Sequence, residues 1–261
     1  MNSNQLFERI ENSKKPEFGD IISKSFELYK KVFSVGMVHA LVIFALAIPF
    51  VLATYLPLLP FYIDMIQNSG DPYYEPSFLE GYSVIMIIVW VIVIFALSFV
   101  MQVLNVSVYG HFLKILKNVD LGLNEETGGY FTIAKKYFGK MILISLANMG
   151  IGIVAMLACY FPLFYVMVPL QLVILIFIFN PELSVENIIK AAFKLGNKYW
   201  FTFFGLIFVS GIFSALGIIA CYIGIIATLF FSYIVMYYMY KDTIGFENES
   251  ESESWDAIVD S

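Results

Sequence analysis

Two charge-free runs, residues 141–180 and 199–240, constrain this chain more than any other feature. As single helices these forty and forty-two residues would be about 60 Å long at about 1.5 Å per residue, twice the hydrocarbon thickness of a bilayer. Each must therefore fold back on itself as a helical hairpin. Two shorter runs, 34–56 and 82–113, supply one span apiece. The spacing predicts six transmembrane helices near 34–56, 82–104, 141–160, 162–180, 199–219 and 222–240. With 60% hydrophobic and 14% charged residues and a mean hydropathy of +0.80, the 261-residue chain is far too apolar for a soluble domain of its size.

Orientation follows from the cations. All fifteen Lys and Arg residues precede span one, lie between spans two and three or four and five, or follow span six. The loop near 57–81 carries Asp64, Asp71, Glu75 and Glu80 and no cation. The positive-inside rule then puts both termini in the cytoplasm. The N-terminus lacks the apolar core and cleavage site of a signal peptide, so span one is expected to direct insertion. One Arg against fourteen Lys, with abundant Phe, Ile and Asn, is the composition of a low-GC bacterial gene. The expected location is a bacterial cytoplasmic (inner) membrane.

Three segments repeat: FELYKKVF from Phe26, FTIAKKYF from Phe131 and FKLGNKYW from Phe193. Twenty-seven residues beyond each start stand Ala53, Ala158 and Ala220, opening ATYLP, ACYFP and ACYIG. Equal spacing three times predicts an internal repeat, with units near 18–117, 123–180 and 184–241. Each unit reads as a cytoplasmic interfacial amphipathic helix, a span out, a corner and a span back. In the first unit Phe18, Ile21, Ile22, Ser25, Phe26, Tyr29, Val32 and Phe33 form the apolar stripe; Val185, Ile188, Ile189, Ala192, Phe193, Gly196, Tyr199 and Trp200 repeat it in the third. Ser184, after Pro181, is placed as an N-cap. The expected fold is an all-α, six-transmembrane-helix bundle of three parallel hairpin repeats.

Residues 1–16 form a short cytoplasmic segment, 17–241 the membrane domain, and 242–261 an acidic tail with seven carboxylates and little periodicity. That tail is expected to be disordered and solubilising, with Trp255, Ile258 and Val259 as anchors if it docks instead. Lys24, Lys30, Lys31, Lys135, Lys136, Lys190, Lys194 and Lys198 are candidates for meeting anionic lipid headgroups, at about 1 kcal/mol each.

Catalytic chemistry needs titratable groups at working distance, and the spans hold no Asp, Glu, Lys or Arg. His39 and His111 are the only histidines and lack nearby carboxylate or Cys partners, so neither an iron nor a zinc site is expected. Cys159 and Cys221 sit at matching corners, where small packing residues account for them better than a disulfide. No cofactor is expected, and neither phosphate-loop nor nucleic-acid-binding features occur. Neutral polar residues do enter the spans. Gln102, Asn105, Asn148 and Gln171 either bond between helices or line an intramembrane polar pathway, together with Pro49, Pro169 and the Gly150/Gly152 pair.

The stretches FGDIISKSFELYKKVF and NPELSVENIIKAAFKLGNKYW carry a family resemblance. The chain resembles uncharacterised bacterial polytopic proteins that include the membrane domain of some glycerophosphoryl diester phosphodiesterases and the YciC-like proteins. Asn180, Pro181, Ser184 and Glu186 match the family's segment before the fifth span. The usual Pro-Gly corner is Pro162-Leu163 here, and Gly224 alone in the third unit. The resemblance implies a fold; the phosphodiesterase barrel of fused relatives is absent, and no catalytic residue carries over. The resulting expectation is a non-catalytic membrane protein that binds lipid or partner proteins, or a second copy of itself, as an auxiliary or assembly component. The alternative is a transporter or permease for an apolar or lipid-like molecule.

Overall fold

A computed structural model of the chain describes residues 1–71, 73–75, 82–158, 161–219 and 224–246. Cys159, Cys221 and tail residues 247–261 lie outside the described residues, so the reading of the corners as packing cysteines and the disordered tail fall there too. Every regular element among the described residues is helical. The helices are α1 (Ser3–Asn12), α2 (Phe18–Tyr55), α3 (Leu59–Gln67), α4 (Val84–Leu121), α5 (Thr132–Leu157), α6 (Phe161–Phe179), α7 (Val185–Lys198), α8 (Trp200–Ile219), α9 (Gly224–Thr228) and α10 (Phe231–Lys241). Among the described residues, five stretches are long and apolar enough to cross a membrane: Phe18–Gln67, Val84–Leu121, Thr132–Leu157, Phe161–Phe179 and Trp200–Gly217.

The expected separation of interfacial helix and span fails in the first unit. There α2 runs 38 residues without a break, Pro49 included. In the other two units the helix bends at the equivalent aromatic, at Tyr137 (φ −122°, ψ 25°) inside α5 and at Tyr199 (φ −128°, ψ 30°) between α7 and α8. The buried face is also rotated from the expected stripe. Ile21, Ser25, Leu28 and Val32 face the core, whereas Phe18, Phe26 and Phe33 are about 40% exposed. Ile188, Ala192, Leu195 and Tyr199 are buried at the same intervals in the third unit.

Helix ends are fixed locally. The Ser83 hydroxyl accepts from the Met86 amide, Ser184 from the Asn187 amide, and Gly122 closes α4 in the left-handed region at φ 65°. Lysines provide a less local device. Lys198 Nζ donates to the carbonyls of Ile10 and Glu11 and to Ser13, covering the C-terminus of α1, and Lys140 Nζ does the same for Pro181 and Leu183 after α6. Lys198→Met should therefore release α1, and hydrogen exchange across residues 3–12 is expected to accelerate selectively.

The pairs α2/α4, α5/α6 and α8 with α9 and α10 pack together, and α10 also touches α2, α4 and α6. Consequently α10 is buried along nearly its whole length. The segment expected as one span, 222–240, is interrupted at Leu229 and Phe230. Tertiary contacts hold that interruption open. The Phe230 ring lies against Gly36 and stacks on Tyr29 at 5.0 Å, while the Tyr29 hydroxyl donates to the Ala227 carbonyl at 3.0 Å. Thr228 Oγ1 donates to the Ser214 carbonyl at 2.9 Å.

Residues 242–246 extend the packed region past the expected end at 241. Thr243, Ile244 and Phe246 are buried, Asp242 pairs with Lys24, and Arg9 donates to the Ile244 carbonyl. The most extensive contact of both α2 and α4 is with each other. Their apolar groove of about 420 Å³ is walled by Ala53, Pro57, Leu58, Met86 and Trp90.

Candidate functional site: a lateral polar cleft

Three of the four intramembrane amides meet in one cleft. Gln102 and Asn105 reach it from α4, Gln171 from α6, and Ser232 and Tyr233 from α10, around about 250 Å³. The periodicity of α4 explains the convergence: Gln102, Asn105, Val106 and Tyr109 follow three- and four-residue steps and share one face. Gln102 stands 18 residues into α4 and Gln171 10 residues into α6, which places the cleft near the middle of both helices. The fourth amide, Asn148 of α5, lines an adjoining space of about 10 Å³ that Gln102 also borders. Gln102 thus connects all four.

The cleft grades from open to closed. Gln102 is exposed on the apolar flank of the bundle, Asn105 and Gln171 are half-buried, and Tyr109 is only 9% exposed. Tyr109 packs against the Tyr233 ring at 4.3 Å. Its hydroxyl, and the side-chain carbonyl oxygens of Asn105 and Asn148, have no hydrogen-bond partner among the described residues. Buried polar atoms are ordinarily paired, because leaving one unpaired costs about 1–3 kcal/mol. Among the described residues, no Asp, Glu, Lys or Arg lines the cleft. Its chemistry is that of amides and phenols. Tyr109, Ser232 and Tyr233 are not distinguishable in the sequence from interfacial Tyr and packing Ser, since only the approach of α10 to α4 gives them a common cavity.

The histidines also come together, across 72 positions of chain. His39 Nε2 and His111 Nδ1 are 2.8 Å apart, and His39 Nδ1 is 2.7 Å from the Val35 carbonyl. That carbonyl can only accept, so in the neutral pair His39 donates through Nδ1 and takes the His111 Nδ1 proton on Nε2. Tyr130 packs against both rings at 5.0 and 4.7 Å. No group of three metal-ligating residues occurs among the described residues. The pair fastens α2 to α4. His111→Leu leaves His39 Nε2 without its donor and should lower unfolding stability by about 1–3 kcal/mol, read by thermal unfolding in detergent.

The basic residues divide by role. Lys24 pairs with Asp20 and Asp242, Lys136 with Glu182, Lys190 with Glu186 and Lys194 with Glu11, while Lys198 covers α1. Lys30, Lys31 and Lys135 are exposed, and no carboxylate among the described residues pairs with them. Glu182 is held below the usual carboxylate range by the Tyr137 hydroxyl and by Lys136. Compared with known proteins, the chain matches no protein family, no curated sequence and no solved structure.

Proposed function

We propose that this is a non-catalytic integral membrane protein that binds a lipid-like molecule in the lateral cleft between α4 and α6. One observation carries the reading: a mid-helix cleft, charge-free and opening on an apolar flank, holds buried polar atoms that the chain itself leaves unpaired. A lipid entering sideways offers polar atoms at that depth without leaving the bilayer. Its neighbours in this reading are headgroups contacted by Lys30, Lys31 and Lys135, and a partner protein completes an auxiliary or assembly role.

The proposed topology has six spans in three hairpins, with both termini in the cytoplasm of a bacterium. Residues 224–241, counted through the interruption, cover about 27 Å at about 1.5 Å per residue, enough for a sixth crossing. The ion pairs Lys241–Asp120, Lys24–Asp242 and Lys136–Glu182 gather the starts of α2 and α5 and the ends of α4, α6 and α10 at one basic end, in keeping with the positive-inside rule. Resemblance to the phosphodiesterase-linked membrane domains agrees with this fold and supplies no activity.

A transporter for the same lipid-like class is the second reading. The helix break at Leu229–Phe230, two residues from Ser232, favours it, because interrupted helices often accompany substrate sites in transporters. Purification into native nanodiscs followed by lipid and protein mass spectrometry tests the binding reading. A stoichiometric lipid companion is expected; an empty chain would refute it. Lipid flux in reconstituted vesicles would move the reading from binding to transport.

A further inference from the structure

The structure assigns a ligand class to the cleft: we infer that it takes a neutral lipid with a free hydroxyl and ester carbonyls, a diacylglycerol rather than a phospholipid. The inference rests on the lipid-binding reading above and adds the headgroup. Charge supplies the first argument. No charged side chain among the described residues lines the cleft, so a phosphate or an ammonium entering it would lose water without gaining a counter-ion from them. Phospholipid headgroups are thereby disfavoured at this depth.

Hydrogen-bond complementarity supplies the second. The Asn105 carbonyl oxygen needs a donor, and the Tyr109 hydroxyl needs a group to accept its proton. The two residues are four apart on α4, one turn along the same face. A hydroxyl is the smallest neutral group that answers both, donating to Asn105 and accepting from Tyr109. A quinone or a simple ester could accept from Tyr109 but would leave Asn105 unpaired. Nearer the flank, Gln102 and Gln171 line the cleft, and their amide N–H groups can donate to two ester carbonyls.

Shape supplies the third. At about 250 Å³ the cleft is smaller than the roughly 300–1,000 Å³ of sites that enclose a whole drug-sized ligand. It holds a glycerol head, against the Tyr233 ring, and leaves acyl chains on the exposed flank beside Gln102 and Val100.

The test uses the full chain in phosphatidylcholine nanodiscs with a photoactivatable diazirine diacylglycerol, and maps labelled peptides by mass spectrometry. Labelling is expected on residues 102–109 and 232–236. Dioleoylglycerol should compete, whereas its methyl ether and phosphatidylglycerol should compete about tenfold less well, the size of one lost buried hydrogen bond. Tyr109→Phe should cut labelling about tenfold while leaving thermal stability unchanged or raised, because it removes a hydroxyl the chain does not use. Equal competition by the methyl ether or phosphatidylglycerol, or full labelling of Tyr109→Phe, would overturn the headgroup assignment and leave a lipid site standing. Absence of any cleft labelling would overturn both.

Discussion

Asp120→Ala is expected to be among the most destabilising single substitutions in the chain, lowering unfolding free energy by about 3 kcal/mol. Asp120 closes α4 against α10: it accepts from the Tyr237 and Tyr238 hydroxyls at 2.8 and 2.7 Å and pairs with Lys241 at 2.7 Å. Both ion-pair partners are mostly shielded, at 14% and 22% side-chain exposure, so the substitution removes an ion pair that water screens only in part and two phenol acceptors with it. Thermal unfolding in detergent should show a fall of about 6–12 °C. Asp120→Asn keeps an acceptor oxygen but drops the charge, and should fall between the variant and the parent.

Gly36→Ala is expected to cost about 3 kcal/mol, at the upper end for overpacking. A methyl there would come within 2.4–2.6 Å of three atoms of the Phe230 ring. The ring cannot turn aside, because Tyr29 stacks on it at 5.0 Å and Phe112 meets its edge at 5.9 Å. Gly150→Ala, where an added methyl meets nothing within 4 Å, should instead be neutral or stabilising by about 0.5–1 kcal/mol. If the clash with Phe230 is the cause, Gly36→Ala combined with Phe230→Ala should lose less than the sum of the two single changes. An additive result would separate the glycine from the break between α9 and α10.

Much of the helical architecture is legible in the sequence because it follows from local patterns. Charge-free run lengths locate the long apolar helices, and Ser184 marks the start of α7 by its place after Pro181. What the sequence conceals depends on contacts between distant segments. The bend at Tyr199 has no counterpart at Val32, and nothing in the local pattern distinguishes a helix that continues into the span from one that turns. The interruption at Leu229–Phe230 lies in an unbroken apolar run; Gly36 and Tyr29, some 190 to 200 residues earlier in the chain, hold it. Lys198 reads as a headgroup cation on an amphipathic face, yet its acceptors are carbonyls of α1. For the cleft, polar identity is visible in Gln102, Asn105 and Gln171, while Tyr109 gains its meaning only from burial beside Tyr233.

The most direct measurement is a density map of the full chain in nanodiscs formed from its native membrane, with a bound antibody fragment as fiducial. Elongated non-protein density is expected to enter between α4 and α6 past Gln102 and to end within hydrogen-bonding distance of Asn105 and Tyr109. A cleft closed by its own side chains, with Tyr109 paired inside the protein and no density at its mouth, would contradict a lipid site there.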